Sequence, residues 1–143
     1  MDLTLLLLLP FAGSAVAALL PTHARNAAAT WALAVSVAAL AGVLALYPQL
    51  ALGTVLRREW AWLPGAPLVL RADGLAWLFA LLVTGIGALV ALYARYYLSR
   101  GDPMPRFFSF FLAFMGAMLG VVLSGNLIQL AFFWELTSLF SFL

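Results

Sequence analysis

Glu135 is the residue whose type and position point most directly to chemistry, because it is the one carboxylate inside a long apolar run. At about 1.5 Å rise per residue, it lies roughly 13 Å beyond Asn126, near the middle of a bilayer core about 30 Å thick. Placing an ionised carboxylate at that depth costs about 2.5 kcal/mol or more. Such a group is expected to be protonated, to face water or to pair with a cation, and an ionisable residue at this depth is by default a candidate for function.

Hydroxyl groups follow the carboxylate within one helical turn. Ser138 lies almost one turn beyond Glu135, and Thr137 directly precedes Ser138 in the sequence. Both are predicted to support the carboxylate or a water molecule next to it. The alternative for Glu135 is a protonated structural acid that is hydrogen-bonded to a neighbouring helix, and the free energy needed to keep it at this depth favours the functional interpretation.

The composition excludes an ordinary soluble domain. Of 143 residues, 66% are hydrophobic and 8% are charged, whereas soluble domains carry about 25% charged residues. The solvent must be a lipid bilayer. All seven basic residues are arginines without a basic run, so nucleic acid is not an expected partner. With no Cys, one loop His (His23) and no phosphate-binding loop, the sequence predicts no metal, no cofactor and no classical enzyme.

Five apolar stretches are long enough to span a membrane, so the predicted fold is an all-α integral membrane protein with about five transmembrane helices. A Pro/Gly turn at 64–67, between two β-prone runs, predicts a small outer hairpin between spans two and three. The predicted spans are 3–20, 27–48, 75–97, 107–123 and 127–143.

Arginine positions predict the orientation. With the N-terminus outside, four arginines fall in the short inner loops and three in the longer outer loop, a weak bias in favour of that orientation in the cell (inner) membrane. The inner set is Arg25, Arg95, Arg100 and Arg106, and the outer set is Arg57, Arg58 and Arg71. Because the sequence stops inside an apolar run, it is expected to be the N-terminal part of a longer protein.

Small residues and one charge pair have structural interpretations. Gly116 and Gly120 have the spacing that lets membrane helices pack closely. Asp73, two residues after Arg71, is placed to cap the third span.

Several motifs in the second half resemble the antiporter-like subunits shared by Mrp-type Na⁺/H⁺ antiporters and respiratory complex I. They are Asp73-Gly-Leu, Thr84-Gly-Ile-Gly and Phe133-Trp-Glu-Leu-Thr-Ser, within 71–143. The residues of these motifs are more similar to those of the A-type subunit of the Mrp antiporters than to those of the complex I subunit. The resemblance implies a membrane component of a multisubunit complex that exchanges H⁺ with Na⁺. It also implies that Glu135 pairs with a lysine on a broken helix during proton translocation.

The sequence departs from that family in one large respect. It contains no Lys, and the broken helices and second inverted repeat are missing. Alternatives therefore stay open: a proton-translocating membrane subunit of NADH-quinone oxidoreductase (complex I), or an inactive membrane fragment or scaffold in which Glu135 is a buried structural acid.

Overall fold

The computed structural model describes residues 3–19, 25–53, 55–63, 66–97 and 104–142. Within these ranges there are five long helices, one short helix and one pair of strands. The apolar runs form helices because an isolated apolar segment can satisfy its backbone groups internally only in this way. In chain order the elements are α1 (Leu3–Ala18), α2 (Arg25–Ala45), α3 (Tyr47–Ala51), β1 (Leu56–Leu63), β2 (Ala66–Ala72), α4 (Gly74–Tyr97), α5 (Met104–Val122) and α6 (Leu127–Phe142).

The five long helices lie where the sequence predicts five apolar spans. By length and composition, two of them can cross a membrane, over Ala27–Ala45 and Gly74–Ala94. Three shorter apolar helices cover Leu3–Ala18, Arg106–Val122 and Leu127–Phe142. The number of membrane crossings therefore stays a prediction. The short helix α3 was not predicted, and it follows α2 after a brief interruption at Leu46.

Polar side chains join the helices across otherwise apolar contacts. Ser14 of α1 donates to the carbonyl of Ser109 in α5 at 2.6 Å, and Ser109 donates back to the carbonyl of Ser14 at 2.9 Å. Trp31 of α2 donates its ring N–H to the carbonyl of Gly13 at 2.8 Å. Trp77 of α4 does the same to Val43 of α2 at 2.7 Å. Each bond pairs a group that would otherwise be costly to bury, so these contacts also specify which helices adjoin.

The strands β1 and β2 pair antiparallel as a hairpin, and the location of this hairpin on the outer side of the membrane stays a prediction. A further pairing was not predicted: β2 also binds the connection between α5 and α6. Arg71 donates its backbone N–H to the carbonyl of Leu123 at 2.8 Å, and Gly125 donates to that of Val69 at 2.9 Å. The residues between them, Leu70 and Ser124, form an antiparallel bridge. The hairpin is consequently fixed to the start of α6.

Candidate functional site

Helix α6, which carries Glu135, begins at a side-chain cap. Asn126 precedes the first helical residue, and its side-chain oxygen accepts the backbone N–H of Gln129 at 2.8 Å. Its backbone carbonyl accepts the N–H of Leu130 at 3.0 Å. Asn is among the preferred residues at this position because it satisfies N–H groups that have no partner within the helix. The first turn of α6 is thereby fixed close to the hairpin.

Gln129 connects that first turn to β2. Its side chain is fully buried, and its Oε1 accepts the backbone N–H of Val69 at 2.7 Å. Gln129 was not among the residues predicted to form the site. The available signal was an Asn followed three residues later by Gln before an apolar run, the spacing of a capping box. In the structure, however, the Gln side chain reaches another segment of the chain.

The two glycines expected to pack helices lie against aromatic rings from different helices. A Cβ at Gly116 would be 2.9 Å from the ring of Phe11 in α1, and one at Gly120 would collide with the ring of Phe133 in α6. Phe133 itself is buried. On α6, Phe133 and Gln129 therefore mark the face that packs against the rest of the bundle.

Glu135 lies on the opposite side of α6. The residue is exposed, together with its neighbours Trp134, Ser138 and Leu139. Among the described residues, the structure gives its carboxylate no hydrogen bond or ion pair. The face of α6 that carries the acid is consequently not covered by the other described helices and strands.

Of the two hydroxyls predicted to support Glu135, that of Thr137 makes a hydrogen bond within its own helix. Thr137 donates to the carbonyl of Trp134 at 2.5 Å, and the carbonyl of Ser138 accepts the hydroxyl of Ser141 at 3.1 Å. Within the part of the chain that the structure describes, neither Thr137 nor Ser138 is joined to the carboxylate. Their supporting role stays a prediction, and His23 lies outside the described residues.

Asp73 and Arg71 form a second charged group at the end of β2. One carboxylate oxygen of Asp73 accepts the backbone N–H of Ala76 at 2.9 Å, and the other lies 3.0 Å from the Arg71 guanidinium. The hydrogen bond from Ala76 and, beyond it, the charge of Arg71 lower the pKa of Asp73 below its ordinary value. This arrangement is a helix cap with a charge partner, which is the structural role expected from the sequence.

We expect Asp73→Ala to destabilise the start of α4 by about 0.5–2 kcal/mol, because the N–H of Ala76 loses its charged acceptor. Asp73→Asn is the matched control, since Asn also caps well but carries no charge. Because the pKa of Asp73 is lowered in the folded state, its charge stabilises the fold above the ordinary pKa, and this contribution is lost as the pH falls through the lowered value.

The measurement is the thermal unfolding midpoint of the purified protein in detergent, recorded between about pH 6 and pH 3. The difference between the wild type and Asp73→Asn should shrink toward the acidic end. A constant difference over this range would show that the charge of Asp73 does not stabilise the fold.

The chain is similar to a family of complex I and to subunits of cation/proton antiporters. The family described as NADH-Ubiquinone oxidoreductase (complex I), chain 5 N-terminus, matches residues 62–108. The probable K⁺/H⁺ antiporter A/B subunit of Rhizobium meliloti (strain 1021) is 54% identical over 143 residues, covering 99% of this chain and 14% of the relative. The Na⁺/H⁺ antiporter A1 subunit of Staphylococcus haemolyticus (strain JCSC1435) is 53% identical over 93 residues, covering 64% of this chain and 12% of the relative.

Two solved structures contain chains that superpose on this one. A protein chain in the Mrp complex from Dietzia sp. DQ12-45-1b superposes with a TM-score of 0.78 at 35% identity, over 98% of this chain and 15% of that chain. The chain is a relative of the A-type subunit of the Mrp antiporters. One chain of the membrane-bound sulfane sulfur reductase, an archaeal respiratory membrane complex, superposes with a TM-score of 0.84 at 25% identity, over 99% and 22% of the two chains.

The similarity to the A-type subunit confirms the resemblance seen in the motifs. Together with two helices that can cross a membrane, it identifies the chain as a membrane protein. The chain spans about 14% of the length of the Rhizobium relative and about 12% of the Staphylococcus relative. Similarity over so small a share of these relatives does not by itself assign their activity to this chain.

Proposed function

We propose that this chain forms part of one subunit of a monovalent cation/proton antiporter, in which Glu135 takes part in proton translocation. The observation that carries the proposal is the position of Glu135, an acid on a mostly apolar helix, turned away from the packed face of α6. A carboxylate left against lipid in this position would be costly, so its face of α6 requires water or a partner.

A cation is the partner that would keep the carboxylate charged. The resemblance to the Mrp antiporters implies a lysine for this role, and because these 143 residues contain none, such a lysine would come from another subunit or segment. A cation close to Glu135 favours the ionised form, and withdrawal of the cation favours proton uptake. Alternation between the two states would couple proton movement to cation movement.

The membrane arrangement follows from the same proposal. We infer a multi-pass protein of the cell (inner) membrane with five spans and its N-terminus outside. The attachment of the hairpin to the α5–α6 connection supports this arrangement, since successive antiparallel spans bring these two segments to the same membrane surface. The arginine bias favours the outer side for that surface.

The relatives support a monovalent cation as the transported ion and other membrane subunits as partners. One relative is named for K⁺/H⁺ exchange and the other for Na⁺/H⁺ exchange, so we propose a monovalent cation rather than Na⁺ alone. The superposition on a chain of the Mrp complex supports assembly with other membrane subunits.

The test is cation/proton exchange in everted membrane vesicles from a strain that carries the chromosomal gene for this protein. After respiration acidifies the vesicle lumen, addition of Na⁺ or K⁺ should dissipate the pH gradient, and vesicles from a strain lacking the gene should not respond. An equal response in the two strains would contradict the proposal.

The match to the complex I family at residues 62–108 favours a second candidate, a proton-translocating subunit coupled to quinone reduction. The same vesicles separate the two functions. Loss of the gene would then reduce proton pumping driven by NADH without changing the response to added Na⁺ or K⁺. No effect on either activity would favour an inactive scaffold, in which Glu135 is structural.

A further inference from the structure

Gln129 differs from the other buried residues of α6. It is 0% exposed on a helix that is otherwise mostly apolar, and its Oε1 binds the backbone N–H of Val69 in β2. Among the described residues, its Nε2 has no hydrogen-bond partner. A buried amide that is incompletely paired is costly, and an apolar side chain would fill the same space without that cost. Packing alone therefore does not account for a glutamine here.

The bond to Val69 restricts how α6 can turn about its axis. Rotation of the helix would leave both the Gln129 oxygen and the Val69 N–H buried and unpaired, and it would also pull Phe133 out of the space beside Gly120. The hairpin cannot follow the helix freely, since β2 is also bound to Leu123 and Gly125. The rotation of α6 is thus fixed from one side, at its first two turns.

This restriction decides where the acid points. At about 100° per residue, Gln129 and Phe133 lie about 40° apart, and Glu135 lies roughly 140° from the middle of the face that they define. When the packed face is held against the hairpin and α5, the carboxylate must point to the other side. A small rotation of α6 would move it along that open face.

We propose that Gln129 is a positioning residue: by binding the hairpin at Val69, it fixes the rotation of α6 and so the direction in which Glu135 faces its proton and cation partners. The inference rests on the proposed function of Glu135. It assigns to the hairpin a part in transport, through one side chain that bridges residues far apart in the sequence.

The test compares three variants introduced into the chromosomal gene. Gln129→Met keeps the size of the side chain and removes the acceptor. Gln129→Glu keeps an acceptor oxygen in either protonation state and is the conservative variant for hydrogen exchange alone, because its carboxyl group adds a titratable group to α6. Leu127→Met is the matched control, because Leu127 lies in the same turn and is 80% exposed. The measurements are hydrogen exchange of the 66–72 segment in the purified complex and the pH dependence of cation/proton exchange in everted vesicles.

In Gln129→Met, the Val69 amide should exchange roughly fivefold to tenfold faster, because it loses its acceptor, and the pH of half-maximal transport should shift. Leu127→Met should stay close to the wild type in both measurements, and Gln129→Glu should stay close to it in the protection of Val69. Unchanged protection of Val69 in Gln129→Met would overturn the bond, and lost protection with an unchanged pH profile would overturn the positioning role.

Two further outcomes keep the test decisive. If Gln129→Met does not accumulate in the membrane, the wild type decides, since fast exchange of its Val69 amide would also overturn the inference. Failure of the proposed function appears elsewhere: normal transport in Glu135→Gln would remove the role of the acid while leaving the protection of Val69 in place.

Discussion

Replacing Glu135 with Gln is expected to lower cation/proton exchange by at least about a hundredfold, the smaller end of what a positioned proton-transfer group contributes. Gln has nearly the same shape as Glu but cannot take up and release a proton near neutral pH. Because Glu135 is exposed on α6 and its carboxylate makes no hydrogen bond or ion pair with the described residues, the change should leave folding and membrane insertion intact. The measurement is the cation-induced loss of the pH gradient in everted vesicles.

Glu59→Gln provides the matched control for this prediction. It is the same chemical change at an exposed carboxylate in β1, 3.5 Å from the Arg57 guanidinium. An exposed ion pair contributes little, so exchange in this variant should equal that of the wild type. If Glu135→Gln and Glu59→Gln transport equally well at equal protein levels, Glu135 does not carry protons.

The sequence predicts the helices of this protein well for a simple physical reason. In an apolar run, backbone groups have no partner except one another, so length and hydrophobicity alone indicate a helix. Capping residues are equally local: Asp73 before an apolar run indicates a helix start, and the structure places its carboxylate on the N–H of Ala76. Both predictions depend only on neighbours in the chain.

The orientation of α6 could not be predicted in this way. Apolar residues occupy all sides of the helix, so no hydrophobic periodicity indicates which face is packed. The packed face is determined instead by Gln129, which binds a strand 60 residues earlier, and by Phe133, which fits beside Gly120. These contacts exist only after the hairpin and α5 are in place. The predicted depth of Glu135 depends only on its position in the sequence, whereas the direction in which it faces is set by tertiary contacts.

Gly120→Ala is expected to destabilise the protein by about 1–3 kcal/mol, the usual cost of overfilling a packed site. The new Cβ would occupy the position of the Phe133 ring, so either α6 or the ring must move. Moving α6 would also turn Glu135, so transport should fall in the same variant. The measurement is the thermal unfolding midpoint in detergent, together with exchange in vesicles.

Gly85→Ala is the matched control, because Gly85 is also helical but its nearest neighbour, the Leu40 Cδ1, lies 3.9 Å from the added Cβ. Alanine favours helices over glycine by up to about 1 kcal/mol, so this variant should be as stable as the wild type or more so. The double variant Gly120→Ala/Phe133→Leu should recover part of the loss, since the smaller side chain makes room for the methyl group, and this recovery measures the coupling between the two positions. Equal stability of Gly120→Ala and Gly85→Ala would show that α6 is not held by the Phe133 contact, and the rotation of α6 would then depend on Gln129 alone.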